Sequence, residues 1–341
     1  MKPSRKRTRS KRSSAKNYKL QETKIEKVNI SEEPEEEIIA ATETSLPCKD
    51  LDDLWDSLIF KHGIKSGLLQ YINTIFFLND HKVNKTLVSV NNLILLHGPP
   101  GTGKTSLCKA VAQKASTRLM ESKKFTSGVL IEINSHSLFS KWFSESGKLV
   151  QKMFEAIKLQ MKNPDKFVVV LIDEVESLTY ARKNASTGLE CSDAIRAVNA
   201  LLTEIDKIKN QPNVIILTTS NITEGIDSAF CDRADIKMLI SPPSSEEILK
   251  IYKSTIEELY EKGILDTGIN EDINDALKAA SYLSVGLSGR TLRKVPFLTL
   301  LQHGVEGGKV IKIKQYLTSM DKAIKTLNEE IWDMELTSNT A

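Results

Sequence analysis

The sequence predicts an α/β protein in which a parallel sheet is covered by helices on both faces and is followed by a smaller, mainly helical domain. Short apolar runs alternate with segments of helical spacing, which is typical of a parallel sheet. After Pro242-Pro243 the apolar spacing becomes purely helical. The predicted helices of the first region start near Lys104, Lys148 and Asp193. The predicted strands are Leu93–His97, Val129–Ile133, Phe167–Ile172 and Val214–Thr218.

The chain of 341 residues is long enough for two folded units with flexible ends. Residues 1–46 are predicted to be disordered, because they pass from a basic to an acidic block and contain few apolar residues. Residues 47–243 are assigned to the larger α/β domain, 244–335 to the small helical domain and 336–341 to a tail.

Charge is concentrated at the start of the chain. Residues 1–20 hold nine Lys or Arg and no acid, so the remainder is acidic although the net charge is +3. The basic block fits a nuclear localisation signal, a weak nonspecific contact with DNA, or a solvated tail, and the sequence leaves these open. No aromatic residues are interleaved with the charges, which argues against stacking on single strands.

Cysteine spacing and hydropathy exclude several classes of protein. Four cysteines, none in a Cys-x-x-Cys pair, argue against a zinc site or a disulfide framework and favour a reducing compartment. The longest apolar runs are far shorter than the roughly 18 residues that would span a bilayer, so no membrane association is expected.

A phosphate-binding loop is the strongest motif. It matches G-x-x-x-x-G-K-[ST], follows a predicted strand and precedes a predicted helix, so a chance glycine-rich turn is a poor alternative. Lys104 is expected to neutralise the β- and γ-phosphates, and the Thr105 hydroxyl to bind Mg²⁺. The residues expected to bind nucleotide are Gly98, Pro99, Pro100, Gly101, Thr102, Gly103, Lys104, Thr105 and Ser106.

Two carboxylates follow the predicted strand Phe167–Ile172. Ligands of a parallel sheet lie beyond the carboxyl ends of the strands, so both should stand near the phosphate loop. Asp173 is the expected Mg²⁺ ligand, and Glu174 the base that orients or polarises the attacking water. The alternative is a solvated acidic turn.

Three further polar residues are candidates for the same chemistry. Asn221, at the end of another predicted strand, could hydrogen-bond the attacking water or the γ-phosphate, or could simply cap the strand. Arg233 could reach the nucleotide of a neighbouring subunit, or could pair locally with Asp232 or Asp235. Arg290 could contact the γ-phosphate from the helical domain, or could be a surface residue.

Two large aromatic residues, Trp142 and Phe143, lie in a polar loop between a strand and a helix. Because loops usually run over the protein surface, two large aromatic side chains in a loop need an explanation. They either pack onto the core or face a partner, and the residues alone favour neither.

Together these motifs resemble the P-loop NTPases of the AAA+ superfamily from about residue 51 to about residue 335. Five segments narrow the resemblance to the pachytene checkpoint AAA+ ATPases, also called thyroid-receptor-interacting proteins. These are the loop Ser140–Lys148 and the motifs Ile172–Leu178, Thr218–Thr223, Asp232–Ile236 and Gly286–Arg290.

The resemblance implies a homo-hexameric ring that uses ATP and Mg²⁺ to remodel HORMA-domain proteins, through a HORMA-type adaptor for some substrates. Such substrates act on meiotic chromosome axes and in the spindle checkpoint, which implies a location in the nucleus and on chromosomes, and also in the cytoplasm. By position, Asn221 and Arg290 become the two nucleotide sensors, Arg233 the arginine finger, and Trp142 the pore-loop residue that grips substrate. Microtubule-severing or filament-disassembling AAA+ enzymes, and a nucleotide-gated chromatin scaffold, are the alternatives.

Three departures from the pattern qualify these expectations. Phe143 and Ser144 follow Trp142 where related rings carry an aliphatic residue and glycine, which favours the narrower group. Only Arg233 appears where many AAA+ proteins show two arginines. Only about 50 mostly polar residues precede the ATPase module, so the folded recruitment domain of the family is expected to be absent or cut away.

Overall fold

The structure, a computed structural model, describes residues 41–84, 87–135, 146–177, 192–222, 226, 228–303 and 310–339. Within these ranges one sheet has the strand order β1-β3-β4-β5-β2-β6. All neighbouring strands are parallel except the antiparallel pair of β1 and β3. The strands are β1 Ala41–Leu46, β2 Leu93–His97, β3 Ser127–Asn134, β4 Lys166–Asp173, β5 Val214–Ser220 and β6 Ile236–Leu239.

The predicted parallel sheet is confirmed, and the order of its strands places the motifs. β2 lies between β5 and β6, with Leu93 opposite Ile216 and Ile94 opposite Ile236. β4 lies between β3 and β5. The carboxyl ends of β2, β4 and β5 therefore meet at one edge of the sheet, and these are the ends that carry the loop, the two carboxylates and Asn221.

The predicted disorder of residues 1–46 is wrong for the last six of them. Ala41–Leu46 forms the edge strand β1, which pairs with β3 from Ala41 opposite Ile133 to Leu46 opposite Gly128. The segment is mostly polar because one face of an edge strand can stay in solvent, while Leu46 is buried. Residues 1–40 lie outside the described residues.

Helices cover both faces of the sheet, as predicted. One face carries α1 Leu54–Ser57, α2 Ile64–Asp80 and α3 Lys104–Glu121, and the other carries α4 Ser146–Met161, α5 Ser192–Ile208 and α6 Ser228–Cys231. Leu93 and Leu95 pack with α4 and α5, whereas Ile94 and Leu96 pack with α2 and α3. The strands read as continuous apolar runs because both faces are buried.

The small domain is helical from Ser245 onward, one residue after the predicted boundary. It has a core of its own, in which Ile248, Tyr252, Leu277 and Tyr316 are almost fully buried. Across the described ranges, no helix of either domain has the length and apolar character needed to cross a membrane. The helices of the small domain are α7 Ser245–Glu261, α8 Glu271–Leu283, α9 Gly289–Leu292, α10 Val295–His303 and α11 Ile313–Asn339.

Candidate nucleotide-binding site

A cleft of about 1480 Å³ is lined by both domains. Of the predicted loop residues, its described lining includes Pro100 through Ser106 but not Gly98 or Pro99. It also includes residues from the first turns of α7 and α9. The predicted residues brought together in this lining are Thr102, Lys104, Thr105, Asp173, Glu174, Asn221 and Arg290.

The loop between β2 and α3 requires glycine at two close approaches. Gly98 has φ +143°, and a Cβ there would lie 2.3 Å from the carbonyl oxygen of Ile240. Gly101 has φ +75°, and a Cβ there would lie 2.8 Å from Ser288 Oγ. The backbone can therefore curl tightly before α3 begins at Lys104. The N–H groups of the first helical turn have no partner within the helix, which makes this end suited to phosphate.

The Lys104 side chain is buried and folds back onto the phosphate loop. Its Nζ donates to the carbonyl oxygens of Gly98 and Pro99, both at 2.8 Å, and the residue is only 4% exposed. Burial lowers the pKa of Lys104, and the charges of Glu176 and Asp173 oppose that shift. The ammonium group is thus close enough to interact with the carboxylates of Asp173 and Glu176.

Thr105 and Asp173 form an oxygen pair at the start of α3 and the end of β4. Thr105 Oγ1 lies 2.9 Å from Asp173 Oδ1 and 3.2 Å from Oδ2. The hydroxyl of Thr219 also donates to Asp173 Oδ1. Mg²⁺ usually binds only one or two oxygen ligands from the protein, and waters and phosphate oxygens complete its coordination. An oxygen pair beside a phosphate site matches this preference. The residues present fit this ion.

Glu174 is exposed at the cleft on a constrained backbone. Its φ is +57°, which is uncommon for a residue other than glycine. Its N–H donates to Thr219 Oγ1 at 3.1 Å, and its carbonyl oxygen accepts from Ser135 Oγ at 2.8 Å. Neighbouring strands therefore determine the direction in which this carboxylate leaves the chain.

Asn221 reaches the cleft from the end of β5. Its Nδ2 donates to Glu176 Oε1 at 2.8 Å. Glu176 was not among the predicted site residues, although the Asp-Glu-Val-Glu run offered it as a third carboxylate three residues after Asp173.

Arg290 brings the helical domain to the phosphate loop. Its backbone N–H donates to the carbonyl oxygen of Gly101 at 3.0 Å. Ser288 caps α9 by accepting from the N–H of Thr291. The Arg290 side chain is exposed at the cleft, so this predicted residue is in reach of a ligand there.

Arg233 lies elsewhere, and it is not among the described residues of the cleft lining. Its guanidinium donates to Asp206 through Nε at 3.0 Å and through the terminal nitrogen Nη2 at 2.7 Å. The local partners considered from the sequence, Asp232 and Asp235, were the wrong ones. Asp235 instead accepts from the Tyr71 hydroxyl at 2.6 Å. Asp206 lies on α5, 27 positions earlier in the chain, so sequence proximity could not indicate it.

The segment Leu58–His62 was missed as part of the site. Leu58 and Ile59 continue the helical spacing of Leu54 and Trp55, but α1 ends at Ser57 and the backbone at Leu58 is extended. The segment lines the cleft, and the Phe60 ring would lie 3.4 Å from a Cβ at Gly103. Apolar residues beside a phosphate loop can hold the base of a nucleotide. Trp142 and Phe143 lie outside the described residues.

Comparison with known proteins places the two domains. Residues 94–242 match the family model described as ATPase family associated with various cellular activities, and residues 267–328 match the TRIP13-like, AAA+ ATPase lid C-terminal domain. The Danio rerio pachytene checkpoint protein 2 homolog is 50% identical over 315 residues, which cover 87% of this chain and 73% of the relative. The chain belongs to the pachytene checkpoint protein 2 family of AAA ATPases.

Other members of this family are similar to the chain over much the same length. The Xenopus tropicalis homolog is 55% identical over 80% of this chain and 66% of its own length, and the Homo sapiens homolog is 52% identical over 82% and 68%. The chain thus spans about two thirds to three quarters of the length of these relatives. The solved structure of C. elegans PCH-2 superposes with a TM-score of 0.75 and 39% identity, over 85% of this chain and 76% of that one.

The comparisons confirm the predicted family and fold class. A chain of a second solved structure, that of the E. coli MS115-1 HORMA:CdnC:Trip13 complex, matches with a TM-score of 0.64 at 19% identity, over 82% of this chain and 94% of that one. At that identity the likeness concerns the fold. The chain has an ATPase domain and a helical lid, and the family implies that it binds nucleotide.

Proposed function

We propose that this chain hydrolyses ATP with Mg²⁺ and uses the energy to remodel HORMA-domain proteins. The observation that carries the proposal is the contact of Thr105 with Asp173, in one cleft with Lys104 and Glu174. The cleft combines a phosphate-binding loop, an oxygen pair for a hard cation and an exposed carboxylate. These are the parts that phosphoryl transfer to water requires.

Each residue has a role in that reaction. The loop N–H groups and Lys104 hold the phosphates, while Thr105 and Asp173 would hold a Mg²⁺ ion, which would neutralise charge on the phosphates. Water attacks the γ-phosphorus, the bond to the bridging oxygen breaks, and ADP, phosphate and a proton result. Glu174 orients the water and accepts its proton, and Arg290 contacts the γ-phosphate from the lid.

The further assembly is also proposed. Membership of the family, together with the shared fold of the E. coli complex that contains a HORMA protein, supports HORMA proteins as clients, some through a HORMA-type adaptor. Six copies form a ring in which Arg233 reaches the neighbouring nucleotide and Trp142 grips the client. The pathways are meiotic chromosome-axis control and the spindle checkpoint.

The hydrolytic proposal is tested with Glu174→Gln. This variant should bind ATP with unchanged affinity and release no phosphate, because the carboxylate that accepts the proton is gone. Glu121→Gln, at the exposed far end of α3, is the matched control and should behave as wild type. Binding without turnover in the wild-type protein would instead favour the nucleotide-gated scaffold.

The client proposal needs its own experiment. Purified HORMA protein should be unfolded or converted in the presence of ATP, and Trp142→Ala should stop that conversion while ATP turnover persists. Capture of tubulin but not of the HORMA protein would favour the severing alternative. Deleting residues 1–20 and following a tagged chain in cells tests whether the basic block directs it to the nucleus and chromosomes.

A further inference from the structure

A buried carboxylate that the proposed mechanism does not use lies beside the cleft. Glu176 is 8% exposed, and its Oε1 accepts from Asn221 Nδ2 at 2.8 Å. Its other oxygen, Oε2, is buried with no hydrogen-bond partner among the described residues. Burying a carboxylate whose second oxygen is unsatisfied costs free energy, so its presence next to a reactive site calls for a role.

The two side chains stand on neighbouring strand ends that are bonded to each other. Glu176 follows β4 and Asn221 follows β5, and these strands pair up to Ile172 opposite Thr218. Beyond that point the N–H of Val175 donates to the carbonyl oxygen of Thr219 at 2.9 Å. The backbone therefore holds the carboxylate and the amide at a fixed separation.

The chemistry of the contact fixes which way the amide faces. A carboxylate can only accept, so the NH₂ group of Asn221 must be the end that faces Glu176. Asn221 lines the cleft, whereas Glu176 is not among its described lining residues. The amide nitrogen is thus directed away from the cleft, and Oδ1 is the atom left to face a ligand there.

We propose that Glu176 is a positioning residue that orients the Asn221 amide so that its carbonyl oxygen accepts a hydrogen bond from the attacking water. This inference rests on the proposed hydrolysis of ATP and decides between the two partners considered for Asn221. A water that will lose a proton to Glu174 has a second hydrogen to donate, and Oδ1 can receive it. A γ-phosphate oxygen could not use that atom, because it needs a donor.

A positioning role of Glu176 differs from a merely structural role because loss of the side chain should lower kcat without changing nucleotide affinity. Glu176→Met keeps a chain of similar length but removes the acceptor, so the amide is free to rotate. We expect kcat for ATP to fall about tenfold while the KM and the affinity for nucleotide stay unchanged. Glu176→Gln still offers an acceptor oxygen and should retain most of the activity. Glu121→Gln is the control for loss of a carboxylate.

The decisive measurement is a double-mutant cycle. If Glu176 acts through Asn221, then Glu176→Met in an Asn221→Ala background should lower kcat no further. Additive losses, or an equal loss of nucleotide affinity, would overturn the proposal. If Glu176→Met fails to fold, Glu176→Asp withdraws the carboxylate by one methylene and takes its place in the cycle. A wild-type protein without turnover would refute the proposed hydrolysis, whereas active wild type with fully active Glu176→Met refutes only this inference.

Discussion

The backbone N–H of Arg290 donates to the carbonyl oxygen of Gly101 at 3.0 Å, so the lid is bonded directly to the phosphate loop. The approach is close on both sides, because a Cβ at Gly289 would lie 3.3 Å from that same carbonyl oxygen. A movement of the loop that keeps this hydrogen bond would be transmitted to the start of α9. We therefore expect the lid of this chain to respond to nucleotide through this contact between backbones.

Gly101→Ala tests that contact. The new Cβ would meet Ser288 Oγ at 2.8 Å, so the lid should be displaced from the loop. We expect ATP affinity to fall about tenfold or more, equivalent to roughly 1.4 kcal/mol. Titration with a fluorescent ATP analogue measures it.

Gly263→Ala is the matched control for Gly101→Ala. Its φ of +72° is nearly that of Gly101, but nothing lies within 4 Å of the added Cβ. Both variants should lose about 1 kcal/mol of stability from the left-handed backbone, and only Gly101→Ala should lose nucleotide affinity. Equal affinities in the two variants would show that the lid contact does not matter for binding.

Arg233 should act on a neighbouring subunit even though it is held by Asp206 within its own. Arg233→Ala alone and Glu174→Gln alone should each abolish most turnover. Mixing the two should restore part of it, because some sites then combine an intact Glu174 with an intact Arg233 from the next subunit. Phosphate release from mixed rings measures this. No recovery, together with a lowered melting temperature for Arg233→Ala, would assign Arg233 a structural role only.

The sequence predicted the parts of the site that depend on local order along the chain. The phosphate loop and the pair Asp173 and Glu174 could be placed because a buried parallel strand brings its carboxyl end to a known edge. It did not predict Asp206 as the partner of Arg233, since that contact joins α5 to the turn after α6. It also missed β1, because a mostly polar edge strand leaves no clear periodic pattern. It missed Leu58–His62 because Leu58 and Ile59 continue the helical spacing of Leu54 and Trp55.

Hydrolysis of ATP should depend on Mg²⁺ bound by Thr105 and Asp173. Chelation of Mg²⁺ should stop turnover, and re-addition should restore it. Asp173→Asn and Thr105→Val each remove one side of the oxygen pair, so both should require more Mg²⁺ for half-maximal turnover. Titrating Mg²⁺ at saturating ATP measures this. Unchanged Mg²⁺ dependence in Asp173→Asn would contradict the assignment of that carboxylate as the ligand.

A carboxylate between α4 and α5 should make stability fall in acid. Glu204 has a 4% exposed side chain, and it accepts from Lys207 at 2.6 Å and from Lys158. Burial raises the pKa of Glu204, but the hydrogen bonds and charges of the two lysines outweigh it and leave the pKa lowered. Since the folded pKa lies below the unfolded value of about 4.3, the contribution to stability is complete above that pH and is lost as the pH falls through the folded value.

Glu204→Gln should therefore lower the free energy of unfolding by about 1–3 kcal/mol near neutral pH. The difference from wild type should shrink below about pH 4, because the wild-type carboxylate is then becoming protonated. Denaturant unfolding at several pH values measures both effects. Glu258→Gln is the control, since Glu258 pairs with Lys262 at 3.5 Å with both side chains more than half exposed, and such surface pairs contribute little. A pH-independent loss in Glu204→Gln would mean that packing between α4 and α5, rather than the ionised carboxylate, stabilises this side of the sheet.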